Sequence, residues 1–172
     1  MLARTSRNCE PHDWRPTARD LPKLSKQVRI PHRVDDVFEL VSDISRYPEF
    51  IKWIRSMKVT EKPAVGVIRR FRGEADVGFK GFSEVFSTDV EANPDTRTIN
   101  VELVHGPFRR LKNRWKLEEV SGAGTRIEFF IDYEFRNPVL ALLARANTDL
   151  AVNRIMKAFQ DEADRRYGTS LD

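Results

Sequence analysis

The sequence predicts an α+β fold: a curved antiparallel sheet wrapped around one long C-terminal helix, with two short helices after the first strand. Three observations carry this. Apolar residues alternate with polar ones in short segments between turn signals from about residue 54 to residue 136, the period of half-buried strands. After Asn137-Pro138 the apolar period changes to three- and four-residue steps that run to Gly168. A short amphipathic stretch, 34–44, stands between the first strand and the strand series.

Taken in order, residues 1–23 hold three prolines, many charges and no periodicity, and are expected to form a flexible N-terminal tail ahead of one domain, 24–168. "LSKQVRI" (24–30) reads as a strand. "VDDVFELVSDI" (34–44) places Val37, Leu40, Val41 and Ile44 on one helical face, with Asp35 and Asp36 at the positive end of the dipole. "SRYPEFIKW" follows as a second short helix or turn. Strands are expected at 54–62, 66–77, 82–92, 96–104, 109–120 and 124–136, each bounded by Gly, Pro or Asn. The last is the clearest, because Ile127, Phe129, Ile131, Tyr133 and Phe135 alternate with polar residues apart from Phe130. In the final helix Val139, Leu143, Ala146, Leu150, Ile155, Met156, Phe159 and Ala163 form the expected apolar stripe, begun by Pro138 and ended by Gly168. One long helix and one single-faced sheet pack most economically with the helix across the concave side. A strongly curved sheet need not touch its helix everywhere, which leaves room for a cavity.

At 172 residues the chain favours one domain with a full hydrophobic core. The net charge is only +4, and residues 1–26 supply +3 of it, a small excess for a nucleic-acid-binding domain; DNA is not an expected partner. A single cysteine, Cys9, rules out an intrachain disulfide and suits a reducing cytoplasm. No apolar run approaches the ~20 residues of a membrane span, and no secretory signal is expected. His12, His32 and His105 are isolated, no cluster has metal-ligand spacing, and no nucleophile motif is present, so neither a catalytic residue nor a metal is expected.

"FRRLKNRWK" (108–116) is the most basic stretch, and strand parity divides it. Arg110, Lys112, Arg114 and Lys116 share an outer face, while Leu111, Asn113 and Trp115 point to the core. Glu102, Glu128, Asp132 and Glu134 fall on the outer face of the neighbouring strands. Either they neutralise the basic four by cross-strand pairing, or the four form an anion- or RNA-binding stripe. Phe71, Phe82, Phe86, Val90, Leu103, Leu111, Trp115, Phe129 and Ile131 fall on the inner faces, with Gly73 and Ala75 leaving room between them. Glu84 and Asn113 have the same inward parity. They pair with each other or with backbone, or they face water and ligand in a pocket. Tyr47, Phe50, Trp53 and Ile54 form either a cap over the core or the portal of an apolar ligand.

Five pieces in order, "VFELVSDISRYPEFIKW" (37–53), "GEADVGFKGFSEVFSTDV" (73–90), "GPFRRLKNRWKL" (106–117), "IDYEFRNPVLALLA" (131–144) and "MKAFQDEADRRYG" (156–168), resemble the START-like superfamily. Within it they are similar to the coenzyme Q-binding and ribosome-association-toxin (RatA) family of polyketide-cyclase-like proteins. The resemblance covers roughly residues 24–168 and implies a helix-grip fold with a hydrophobic tunnel between sheet and C-terminal helix. It implies a non-enzymatic protein that binds or chaperones ubiquinone or a related isoprenoid lipid in support of respiratory electron transfer, needing no further cofactor. The basic outer residues and the amphipathic aromatics of 47–54 suit an anionic lipid surface, so a cytoplasmic protein with peripheral contact to the inner membrane is the expectation. The alternative the resemblance carries is a toxin that blocks ribosomal subunit association; a polyketide cyclase or aromatase is a further one. The family's "YPEFLPWC" reads "YPEFIKWI" here, so a portal property resting on that proline or thiol does not carry over. The expected cavity set is Phe50, Trp53, Phe71, Phe82, Glu84, Phe86, Leu103, Phe108, Leu111, Asn113, Trp115, Phe129, Leu143 and Leu150, with Glu84 and Asn113 toward the polar head.

Overall fold

A computed structural model describes residues 23–79 and 81–168; the expected N-terminal tail lies almost wholly outside them. The first strand, β1 (Lys23–Ile30), is followed by α1 (Val34–Ser42), a 3-10 turn (Ile44–Arg46) and α2 (Tyr47–Phe50). Six strands then run in succession: β2 (Ile54–Val65), β3 (Ile68–Phe79), β4 (Phe82–Asn93), β5 (Thr98–His105), β6 (Phe108–Val120) and β7 (Gly124–Phe135). The last element is α3 (Pro138–Tyr167).

All seven strands form one antiparallel sheet in the order β1-β7-β6-β5-β4-β3-β2. Consecutive strands pair by hairpins, and only β1 departs from that rule by closing onto β7. The β6–β7 register sets Leu111 opposite Tyr133, Asn113 opposite Ile131, Trp115 opposite Phe129 and Leu117 opposite Ile127. Since facing residues in a sheet point to one side, these pairs build the inner face.

The 30 residues of α3 span about 45 Å. Asn137 caps the helix: its Oδ1 accepts from the N–H groups of Val139 (2.8 Å) and Leu140 (3.4 Å). Gly168 ends it with a positive φ, its N–H bonded to the Asp164 carbonyl. The second half of α3 closes the main core. Val152, Met156, Phe159 and Ala163 are buried there with Ile30, Val37, Leu40, Val41, Ile99, Leu117 and Ile127. Two polar ties fix this end. His32 Nε2 meets Asp164 Oδ1 at 2.6 Å, and Glu162, buried, accepts from Arg165 (2.7 and 2.8 Å) and Arg166 (2.6 Å).

The first half of α3 behaves differently from the expected stripe. Val139 and Ala146 are exposed and Leu150 is about half exposed, while Leu140 is buried. The inward face is rotated onto Leu140, Ala144, Thr148 and Val152. Thr148 and Asn147 bond back to the carbonyls of Ala144 and Leu143, both at 2.7 Å, so each polar side chain on the inward side has a backbone partner.

Candidate ligand cavity

Between the first half of α3 and the inner face of β2–β7 lies a cavity of about 770 Å³. Its size is that of a small-molecule or lipid site. Trp53, Phe82, Glu84, Phe86, Phe108, Leu111, Asn113, Trp115, Phe129, Leu143 and Leu150 all line it. Three residues of the expected set do not. Phe50 turns into the core, edge-on to Phe159 at 5.2 Å and to Tyr47 at 5.8 Å. Leu103 packs against the small cluster of Phe108, Leu111 and Tyr133. Phe71 has the inward parity but packs against the main core beyond the cavity.

The reason for the Phe71 correction lies at Gly73. A Cβ on Gly73 would fall 2.6 Å from Ile44 Cδ1. The space that the small residue leaves is filled by Ile44 from the 3-10 turn. Ile44 therefore forms an end wall, with Gly73 and Ala75 behind it on β3.

The walls are aromatic and interlocked. Phe86 meets Phe108 at 5.4 Å, Phe108 meets Phe135 at 4.4 Å, and Trp115 meets Phe129 at 4.8 Å and Phe159 at 5.2 Å. The segment around residues 47–54 serves two purposes. Tyr47 is half-buried, donates to the Val41 carbonyl at 2.5 Å, and has its phenol pushed well above the ordinary range by desolvation and then by the Asp43 charge. Lys52, Trp53 and Ile54 instead edge the cavity, as do Leu150 and Arg154 from α3. Because Lys52, Leu150 and Arg154 are exposed as well as lining, the mouth lies between the α2–β2 connection and α3.

Asn113 and Glu84 do not pair with each other. Asn113 donates to the Phe130 carbonyl at 2.8 Å and accepts from Trp115 Nε1 at 2.7 Å. Glu84 has no hydrogen-bonding or ionic partner among the described residues. Sequence reasoning missed the polar patch made by Tyr133, Asn147 and Thr148 on the α3 side. The inward parity of Tyr133 was visible, but its helical partners sit where the apolar stripe was expected to be unbroken.

On the outer face, Arg110 reaches Asp132 at 2.9 Å and Glu134 at 3.2 Å, and Lys112 lies 3.7 Å from Glu102. Lys116 pairs with Glu118 at 2.6 Å, while Glu128, opposite it across the sheet, accepts from Gln27 at 3.2 Å. Arg114 stands apart. Its cross-strand neighbours are Phe130 and Asn100, and it makes no ion pair among the described residues. Three of the four basic residues are thus answered by carboxylates.

The family described as polyketide cyclase / dehydrase and lipid transport matches residues 30–160. "Ribosome association toxin RatA" of Escherichia coli is 29% identical over 148 residues, covering 86% of this chain and 90% of that protein. "Coenzyme Q-binding protein coq10, mitochondrial" of Schizosaccharomyces pombe is 28% identical over 152 residues, covering 87% and 92%. The solution structure of the 18 kDa protein CC1736 from Caulobacter crescentus superposes with a TM-score of 0.74 at 34% identity, covering 86% of this chain and 99% of that one. A START superfamily protein from Mycobacterium smegmatis gives 0.70 at 20% identity over 83% and 97%, which shows a shared helix-grip fold.

Proposed function

We propose that this chain, which belongs to the polyketide cyclase / dehydrase and lipid transport family, is a non-enzymatic binding protein for an isoprenoid quinone, ubiquinone or a close relative. The observation that carries this reading is the aromatic-walled cavity of about 770 Å³ held open by the first half of α3. Burying an isoprenoid tail there is favourable by roughly 25 cal/mol per Å² of apolar surface before ordering costs. The similarity to a protein named as coenzyme Q-binding supports the same ligand class.

The mouth suits delivery from a membrane surface. Along its first half α3 exposes Val139, Leu142 (71% exposed) and Leu150, together with Arg145, Asp149 and Arg154. Apolar side chains with nearby cations favour an anionic lipid interface. No helix among the described residues is long and apolar enough to cross a bilayer, so contact through these helices is peripheral. A cytoplasmic protein visiting the inner membrane fits these features. Organic extraction of the purified protein and mass spectrometry test the proposal, with a co-purified isoprenoid quinone expected. Consistently empty preparations that also fail to bind an added short-chain ubiquinone would overturn it.

One observation favours a second reading. Arg114 is the member of the outer stripe with no acidic partner among the described residues, and a relative is named as a ribosome association toxin. In that reading Arg114 contacts rRNA phosphate. Co-sedimentation with ribosomal subunits that falls steeply with salt and is lost in Arg114→Glu supports it; sedimentation unchanged by the substitution rejects it.

A further inference from the structure

The placing of hydrogen-bonding protons around the cavity bears on the oxidation state of its ligand, an inference that rests on the quinone reading above. The Thr148 hydroxyl has one proton and gives it to the Ala144 carbonyl at 2.7 Å. The close contact between Tyr133 Oη and Thr148 Oγ1 must then be made with the Tyr133 proton. The Tyr133 oxygen is left with lone pairs only. The Trp115 N–H is given to Asn113 Oδ1, and the Tyr47 hydroxyl to the Val41 carbonyl. Asn113 and Asn147 each commit one amide N–H to a backbone carbonyl. The donors left open are the second amide N–H of Asn113 and of Asn147, the Thr88 hydroxyl, and Trp53 with the cations Lys52 and Arg154 at the mouth; none of them is on Glu84.

The acceptor side is less committed. Glu84 is the single carboxylate on the cavity wall, half-buried beside Phe82 and Phe86, with no partner among the described residues. A carboxylate is an acceptor of up to four hydrogen bonds and offers no proton. An oxidised quinone also offers none, since its carbonyl and methoxy oxygens only accept. Placed beside Glu84 it would set lone pair against lone pair and strip water from a charge without replacement. A hydroquinone carries two hydroxyl donors, and a phenol-to-carboxylate hydrogen bond is of the strong, charge-assisted kind.

We propose that the cavity selects the reduced, hydroquinone form of its ligand, and that Glu84 is the residue that distinguishes it from the quinone. Glu84 acts on specificity and has no role in electron transfer. The ligand is recognised by the donor hydrogens of its head, while the apolar wall holds the tail equally in both forms.

Anaerobic calorimetric titration with a short-chain ubiquinone analogue, as supplied and after chemical reduction, tests this directly. The reduced form is expected to bind about tenfold more tightly, as one charge-assisted hydrogen bond implies. The same preference read by redox titration raises the midpoint potential of the bound couple by about 30 mV over the free one. In Glu84→Gln, which replaces the charge with an amide able to donate, the ratio is expected to fall to about one or to invert. Equal affinities in the wild type, tighter quinone binding, or a preference that survives Glu84→Gln would overturn the proposal and leave the quinone-binding function standing. Failure of both forms to bind overturns this proposal and the quinone-binding function together. Unchanged far-UV circular dichroism and melting temperature in Glu84→Gln confirm that the comparison is made on folded protein.

Discussion

The indole N–H of Trp115 ends on Asn113 Oδ1 at 2.7 Å, two residues away on the same face of the same strand. Asn113 passes the connection to the next strand through its bond to the Phe130 carbonyl at 2.8 Å. A polar residue on an apolar wall is therefore a structural strut between β6 and β7, with two of its hydrogen-bonding positions already used. Asn113→Leu preserves volume but leaves the Trp115 N–H and the Phe130 carbonyl without these partners. A loss of about 2 kcal/mol in urea-unfolding stability is expected.

Filling the cavity separates binding from folding. Leu143 lines it from α3 and is only half-buried, so a larger side chain there enters existing space. Leu143→Trp is expected to lower affinity for a short-chain ubiquinone at least about tenfold while the melting temperature shifts by no more than a few degrees. Titration calorimetry and a thermal melt on the same preparation check both halves.

Two neighbouring arginines on the outer face should differ in their contribution to stability. Arg110 holds Asp132, whose side chain is 10% exposed, as well as Glu134. Arg110→Ala leaves Asp132 charged and shielded from water, with about 2 kcal/mol lost. Arg114→Ala removes no ion pair among the described residues, and its effect is expected to stay within about 0.5 kcal/mol. Denaturant midpoints of the two variants give the comparison.

Acid sensitivity is concentrated at the closed end. Hydrogen bonds from Arg165, then Arg166, hold the Glu162 carboxyl down from 4.5 to about 2 against the opposing effect of burial. A carboxyl with a depressed folded-state pKa stabilises the fold fully above its unfolded value and loses that contribution as pH falls through the folded one. The window runs from about pH 4.5 down to about 2. Glu162→Gln is expected to cost about 2 kcal/mol at neutral pH, discounted for the exposure of Arg165, and to flatten the stability profile across that window.

Gly124 stands where no side chain fits. Its φ is +88°, and a Cβ would lie 2.3 Å from the Ile30 carbonyl oxygen and 2.7 Å from Pro31 Cα, both backbone atoms that cannot swing away. Gly124→Ala is expected to destabilise by on the order of 3 kcal/mol, measured by thermal or urea unfolding.

Parity made much of this legible beforehand. The division of residues 108–116 into a basic outer half and an apolar inner half follows from the strand period alone, and the β6–β7 register agrees with it. What parity cannot supply is position along the strand relative to objects on other elements. Phe71 and Leu103 point inward as expected, but Phe71 lies beyond the stop made by Ile44 on Gly73, and Leu103 belongs to a side cluster. Similarly, Glu128 faces Lys116 across the sheet, yet the lysine turns to Glu118 along its own strand. The α3 stripe was misphased in its first half for a different reason. A helix face that borders a cavity tolerates Asn147 and Thr148, so apolar spacing ceases to mark it.

The contact between Ile44 and Gly73 has a consequence for what the cavity can measure. Strands and α3 frame it, but the space beside Gly73 is filled by one side chain carried on a three-residue turn. A shorter side chain in place of Ile44 would deepen the chamber without moving a strand, and a longer one would shorten it. The volume of the chamber can thus be altered at a single turn residue, with the sheet and helix that frame it left as they are.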